Sequence, residues 1–292
     1  MENNTMESAD NKSVAHQIKA KLSLNPISSL FSDTWELYQE RFALLIKIVL
    51  LPVLVTILGY TLSDLHLPFS SGLARVVLCL GWLMSVFNIL PIIFSIQNKT
   101  DVDDSYKAAL PWVLPFAWLV ILQIFATVGG FIMLVIPGIW LIFAFSFVSY
   151  IFVIERRRGI DALRQSKDYI RGYWWAVVGR VLLMGIFVMM AAAIVQWLTL
   201  PTMGRTAGNI ASMILTLFTT PFTAIFGYNI YNNLKALKPE LAEAQAAPGG
   251  GFVKACVVVG VVALVLIVLA VIFFAWHGVA QSLELGRWAN TR

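Results

Sequence analysis

The chain has 292 residues, 59% of them hydrophobic and 13% charged, with a mean hydropathy of +0.79. A soluble domain carries about 45–50% apolar and about 25% charged residues. A soluble fold is therefore excluded, because no core of this length could bury so much apolar surface, whereas a bilayer could.

The formal charge of +5 is read in that setting as basic loops beside membrane spans, not as nucleic-acid contact. Cys79 and Cys256 both fall in apolar runs, which leaves no disulfide framework or thiolate metal cluster to build. The first 41 residues are polar, with six acidic and four basic side chains, and residues 1–25 are expected to form a disordered cytoplasmic tail. A signal peptide would place an apolar stretch near the start. None is there, so the first span is expected to act as its own uncleaved insertion signal.

From Pro26 onward, Ile27, Leu30, Phe31, Trp35, Tyr38 and Phe42 recur at three- and four-residue steps among Asp33, Glu36, Gln39 and Glu40. This pattern predicts an amphipathic helix in the interface plane, opened by a proline as helix N-termini favour and anchored by Trp35 and Tyr38. Crossing roughly 30 Å of hydrocarbon takes about 20 apolar residues. Phe42–Leu62 and Leu73–Ile96 meet that length. Ala109–Ile154 then runs 46 residues without a charge, about 69 Å as a helix, and so must fold back as a hairpin. Its turn is expected between Gly129-Gly130 and Pro137-Gly138, where helix breakers cluster.

A second amphipathic segment spans Gly159 to Gly172 and ends in Tyr173-Trp174-Trp175, with Trp174 and Trp175 as headgroup-level anchors. Laying Leu30 over Leu163 also sets Leu37 over Ile170, Phe42 over Trp175 and Lys47 over Arg180, a weak parallel repeat. Trp174–Leu200 and Asn209–Tyr231 supply the fifth and sixth spans. Residues 239–251 hold the linker Ala247–Gly251. A seventh helix is expected over 252–277, with an outer tail over 278–292.

The expected fold is an all-α polytopic transmembrane bundle of about seven spans with two interfacial helices, its membrane domain covering 26–238. With the N-terminus assigned to the cytoplasm, 17 of the 21 lysines and arginines fall inside. Only Arg75, Arg205, Arg287 and Arg292 fall outside, as the positive-inside rule requires. The expected location is a plasma membrane, with the C-terminus outside.

Certain runs resemble a known membrane family. They are Ile136-Pro137-Gly138-Ile139-Trp140-Leu141, Glu155, Ala162-Leu163-Arg164-Gln165-Ser166, Arg171-Gly172-Tyr173-Trp174-Trp175, Leu30 to Tyr38, and Pro221 with Tyr228 to Leu234. The family is the integral membrane domain of glycerophosphoryl diester phosphodiesterases, with related bacterial inner-membrane proteins of the YciC type. The likeness covers roughly Pro26 to Lys238. Its phosphodiesterase members carry a soluble catalytic domain after the membrane part, whereas 54 residues follow Lys238 here. His16, His66 and His277 are scattered, so no metal-assisted hydrolytic constellation assembles from them. The resemblance therefore implies the membrane scaffold and not the enzymatic activity.

Candidate functional residues are few. Arg156, Arg157, Arg158, Arg164, Lys167 and Arg171 form the densest basic segment, suited to anionic headgroups or an acidic partner and equally to fixing topology. No carboxylate lies deep in a span, which weakens ion-coupled transport. Asn88, Gln123, Gln196, Thr219, Thr220 and Asn229 are mid-membrane polar groups, and Pro52, Pro91, Pro115, Pro137 and Pro221 are candidate kinks. Enzyme signatures are absent, and Glu155, Asp161 and Asp168 are headgroup-level carboxylates a lipid-modifying site could draw on. No cofactor is expected. The expected role is a non-enzymatic scaffold for membrane lipids or a protein partner, with passage of a small neutral or apolar solute as the alternative.

Overall fold

The computed structural model describes residues 24–65, 70–98, 101–243 and 251–289. The expected disordered tail before Leu24 lies outside them, as do residues 244–250 of the expected linker. Among the described residues every regular element is helical. The helices are α1 (Ile27–Asp64), α2 (Ser70–Phe87), α3 (Ile89–Asn98), α4 (Val102–Ala109), α5 (Val113–Met133), α6 (Val135–Ala144), α7 (Val148–Ile154), α8 (Gly159–Ile170), α9 (Trp174–Leu237), α10 (Pro239–Glu243) and α11 (Gly251–Ala289). A short 3-10 turn, Leu110–Trp112, joins α4 to α5.

These elements compose seven segments long and apolar enough to cross a membrane. The hairpin turns at Leu134, whose extended backbone (φ −167°, ψ 149°) separates α5 from α6, inside the expected window. The fifth and sixth spans, Trp174–Pro201 and Gly204–Leu237, run together in α9, which reverses at Gly204 (φ 82°), a left-handed backbone that glycine adopts without a Cβ penalty.

Two elements depart from the sequence reading. The first amphipathic segment is not set off from its span. No glycine or proline lies between Ile27 and Pro52, so nothing breaks the helix, and α1 runs 38 residues, about 57 Å. Its face of Leu30, Thr34, Tyr38 and Leu45 is buried. Phe31 meets Phe222 and Phe226, Tyr38 donates to the Phe218 carbonyl (3.2 Å), and Asn229 Nδ2 donates to Thr34 (3.0 Å). The proposed repeat partner behaves differently. Leu30 and Leu163 are both fully buried, but α8 stops where Gly172 takes φ +90°. Lastly, α11 continues to Ala289, past the expected end at residue 277.

Kinks leave helix carbonyls without their usual partners, and side chains fill the gaps. Pro52 has no N–H for the Ile48 carbonyl, and the Tyr106 hydroxyl of α4 donates there instead at 2.8 Å. Where the fourth span breaks at Phe145–Phe147, Val148 N–H bonds Phe145, and the Ala144 carbonyl receives the Ser166 hydroxyl at 2.7 Å. Arg41, 9% exposed, donates at 2.8 Å to the Ser95 carbonyl in the last turn of α3, one of the four carbonyls a helix end leaves open. A Tyr106→Phe variant is expected to lower stability by about 1 kcal/mol, the scale of an intramembrane hydrogen bond. In a Pro52→Ala background, which restores the N–H, the loss should shrink. Thermal unfolding of the four-member cycle measures it.

Lipid-facing surface is extensive. Of the most apolar 18-residue stretch within Trp174–Pro201 only 6% is buried, and Met189 and Trp197 stand 72% and 77% exposed. In water such a helix would be a liability; against acyl chains it needs no cover.

Candidate functional site

A cluster of polar side chains gathers around α8. Helix α8 tucks Ala162, Leu163, Ser166, Tyr169 and Ile170 beneath the spans, all with at most 1% exposure. At its centre stands Glu155, the C-cap of α7. A carboxylate at a helix C-terminus faces the negative end of the dipole, so it needs donors from elsewhere. It has three. Its Oε1 accepts from the Tyr169 hydroxyl (2.7 Å) and the Tyr231 hydroxyl (2.7 Å), and Oε2 accepts from Gln165 Nε2. The same Gln165 amide donates to the Leu241 carbonyl (2.9 Å). One carboxylate thus ties together α7, α8, the end of α9 and α10. Burial, and next the hydrogen bond to Glu155, push the Tyr169 phenol above its ordinary value, so it remains a donor at neutral pH.

Lys238 closes the other side. Its ammonium has three protons, and it donates to the carbonyls of Asp168 (2.6 Å), Tyr169 (3.0 Å) and Arg171 (2.5 Å). These carbonyls lie at the C-terminal end of α8, where a cation is favoured. Burial is the main influence on the lysine and lowers its pKa. A Lys238→Met variant keeps the stem but removes the cap, and should lower the unfolding free energy by about 1–2 kcal/mol, measurable as a lower thermal midpoint in detergent.

The predicted basic residues divide. Arg156 and Arg158 are exposed, and both guanidiniums lie over the Trp112 ring, at 4.5 and 5.2 Å from its centroid. Arg156 takes a left-handed backbone (φ 58°) to get there. Arg164 and Lys167 approach Asp168 at 3.6 and 3.8 Å. Arg157 is half-buried and Arg171 exposed. Of the anchors, Trp35 and Trp175 are 53% and 79% exposed, and Trp174 stacks edge-on with Phe143 and Trp175. Tyr38 faces inward. It is 7% exposed, ringed by Trp35, Phe42 and Phe222, because α1 turns that face onto α9.

Sequence reasoning missed Gln165, Tyr169, Tyr231 and Lys238 as partners of one site. Glu155 was visible as an edge carboxylate, but its partners lie 10, 14 and 76 residues away. Three donors from two other helices hold the Glu155 carboxylate in place. Among the described residues no three His, Cys, Asp or Glu side chains gather as a metal site.

Helix α11 packs on α5. A Cβ on Gly129 would run into the Cys256 carbonyl oxygen, and one on Gly260 into the Phe125 carbonyl oxygen. The two backbones touch, as small-residue membrane interfaces allow.

Residues 109–234 match the model of a family described as a domain of unknown function (DUF7847). That stretch holds Glu155, Gln165, Tyr169 and Tyr231, and leaves out Lys238, α1 and α11. No curated protein and no solved structure matches the chain.

Proposed function

We propose that this seven-span membrane protein is a non-enzymatic scaffold of a bacterial-type plasma membrane, whose basic end faces the cytoplasm and holds anionic lipid headgroups. The observation that carries the reading is the pair Arg156 and Arg158, exposed and laid on Trp112. An aromatic ring under a guanidinium holds its plane in place and leaves its edge free to donate. The clamp around Glu155 fixes the segment from which these arginines project. The resemblance to phosphodiesterase membrane domains and YciC-type proteins supports the same role.

Each cation near an anionic surface contributes about 1 kcal/mol. In nanodiscs of equimolar phosphatidylglycerol and phosphatidylcholine, the unmodified chain should enrich phosphatidylglycerol around itself. An Arg156→Gln, Arg157→Gln, Arg158→Gln variant should lose most of that enrichment, and unchanged enrichment would remove the lipid role. The alternative, passage of a small neutral or apolar solute, draws support from the cavity beside Pro52 and Pro91.

A further inference from the structure

We propose that the cavity between α1, α2, α3 and α4 is a binding site for one ester-linked acyl chain of a membrane phospholipid, with the Asn88 amide donating to the ester carbonyl. The proposal deepens the lipid reading at a second place in the bundle and does not depend on headgroup charge. The cavity measures about 290 Å³, at the lower end of ligand-pocket volumes of roughly 300–1,000 Å³.

Its existence follows from the sequence. Pro52 and Pro91 each remove a helix N–H, and α2 meets α3 at Asn88, where the cavity lies beside them. Pro52, Phe87, Pro91 and Val113 give apolar walls, while Asn88 and Tyr106 are the polar lining residues.

The Asn88 side chain marks the ligand. It is 5% exposed, and its Oδ1 shares the Tyr106 hydroxyl proton at 3.3 Å with the Ile48 carbonyl. The Asn88 side chain makes no other hydrogen bond among the described residues, and Asn88 borders the cavity. An amide donor left open beside apolar walls calls for an acceptor. No charged side chain lines the space, so the acceptor belongs to a neutral group with an apolar body attached.

Position selects the ester. Tyr106 is followed by the exposed Lys107, and the carbonyl it caps belongs to the residue after the exposed Lys47. The two lysines set the headgroup level, which puts the Asn88–Tyr106 pair just beneath it, where glycerol esters meet acyl chains. Leu110, 73% exposed, forms the rim toward the lipid.

The test uses the full-length chain in detergent and native mass spectrometry with two zwitterionic probes, a diester and a diether phosphatidylcholine of equal chain length. The unmodified chain should retain one diester lipid in preference to the diether by roughly three- to thirtyfold, the range of one intramembrane hydrogen bond. Asn88→Leu should erase the preference, and Ala109→Phe, which fills the cavity, should erase retention. Helix content and thermal midpoint check that both variants fold. The Arg156, Arg157, Arg158 triple variant should keep the diester preference, so this result and the headgroup result fail separately. Equal retention of the two probes by the unmodified chain, a preference that survives Asn88→Leu, or retention of neither lipid would overturn the proposal, the last leaving the cavity to a smaller neutral solute.

Discussion

Replacing Glu155 with alanine is expected to lower the unfolding free energy by about 3 kcal/mol, since hydrogen bonds to a charged group are worth about 1.5–3 kcal/mol and their buried donors would be left unpaired. The loss has three parts, one for each donor. Tyr169 and Tyr231 are fully buried and Gln165 is 7% exposed, so water cannot freely replace the carboxylate. Tyr231→Phe removes only one donor and should lower stability by about 1–2 kcal/mol. The tyrosine loss should nearly vanish in the Glu155→Ala background, because the two groups act as a unit. Thermal unfolding in detergent reads the cycle. Additive losses would show that the carboxylate does not hold the tyrosine.

Opening the α5–α11 contact should be the second large effect. At Gly129 the obstacle to any side chain is backbone, the Cys256 carbonyl, and a carbonyl inside a helix cannot swing aside as a side chain would. Gly129→Ala is expected to loosen the pair, and Gly129→Leu to detach α11, at about 3 kcal/mol of overpacking strain. The reporter is already present: Cys256 Sγ lies 3.8 Å from Met133 Sδ. A Met133→Cys chain should couple to Cys256 through a short thiol crosslinker, and adding Gly129→Leu should abolish that product. Persistence of the product would mean the two helices do not meet through this glycine.

Span number and the hairpin were legible in the sequence because they depend on local quantities, namely apolar run length, charge-free stretches and clustered breakers. The turn at Leu134 sits between the glycine pair and Pro137-Gly138 for that reason. Even the continuity of α1 was within reach, since no breaker stands before Pro52. The amphipathic patterns were real, but what their apolar faces meet is not a local property. Leu30 and Tyr38 lie against α9.

The polar clamp was not legible for a related reason. Glu155 stands beside three arginines in sequence, which suggests a surface loop, while its bonds go to tyrosines and a glutamine on two other helices. Tyr106 and Ser166 likewise serve carbonyls freed by breaks elsewhere, 58 and 22 residues away. A proline in a span announces an orphan carbonyl. It does not say which hydroxyl arrives.

The layout of crossings is tested most directly by thiol accessibility in sealed vesicles, with Cys79→Ser and Cys256→Ala removing the native thiols. Single cysteines replace Leu134, 68% exposed at the hairpin turn, and Arg171, exposed after α8. A membrane-impermeant maleimide should label Leu134→Cys in vesicles of one orientation and Arg171→Cys only in the inverted preparation. Labelling of both from the same side would contradict the seven-span arrangement and the basic end built on it.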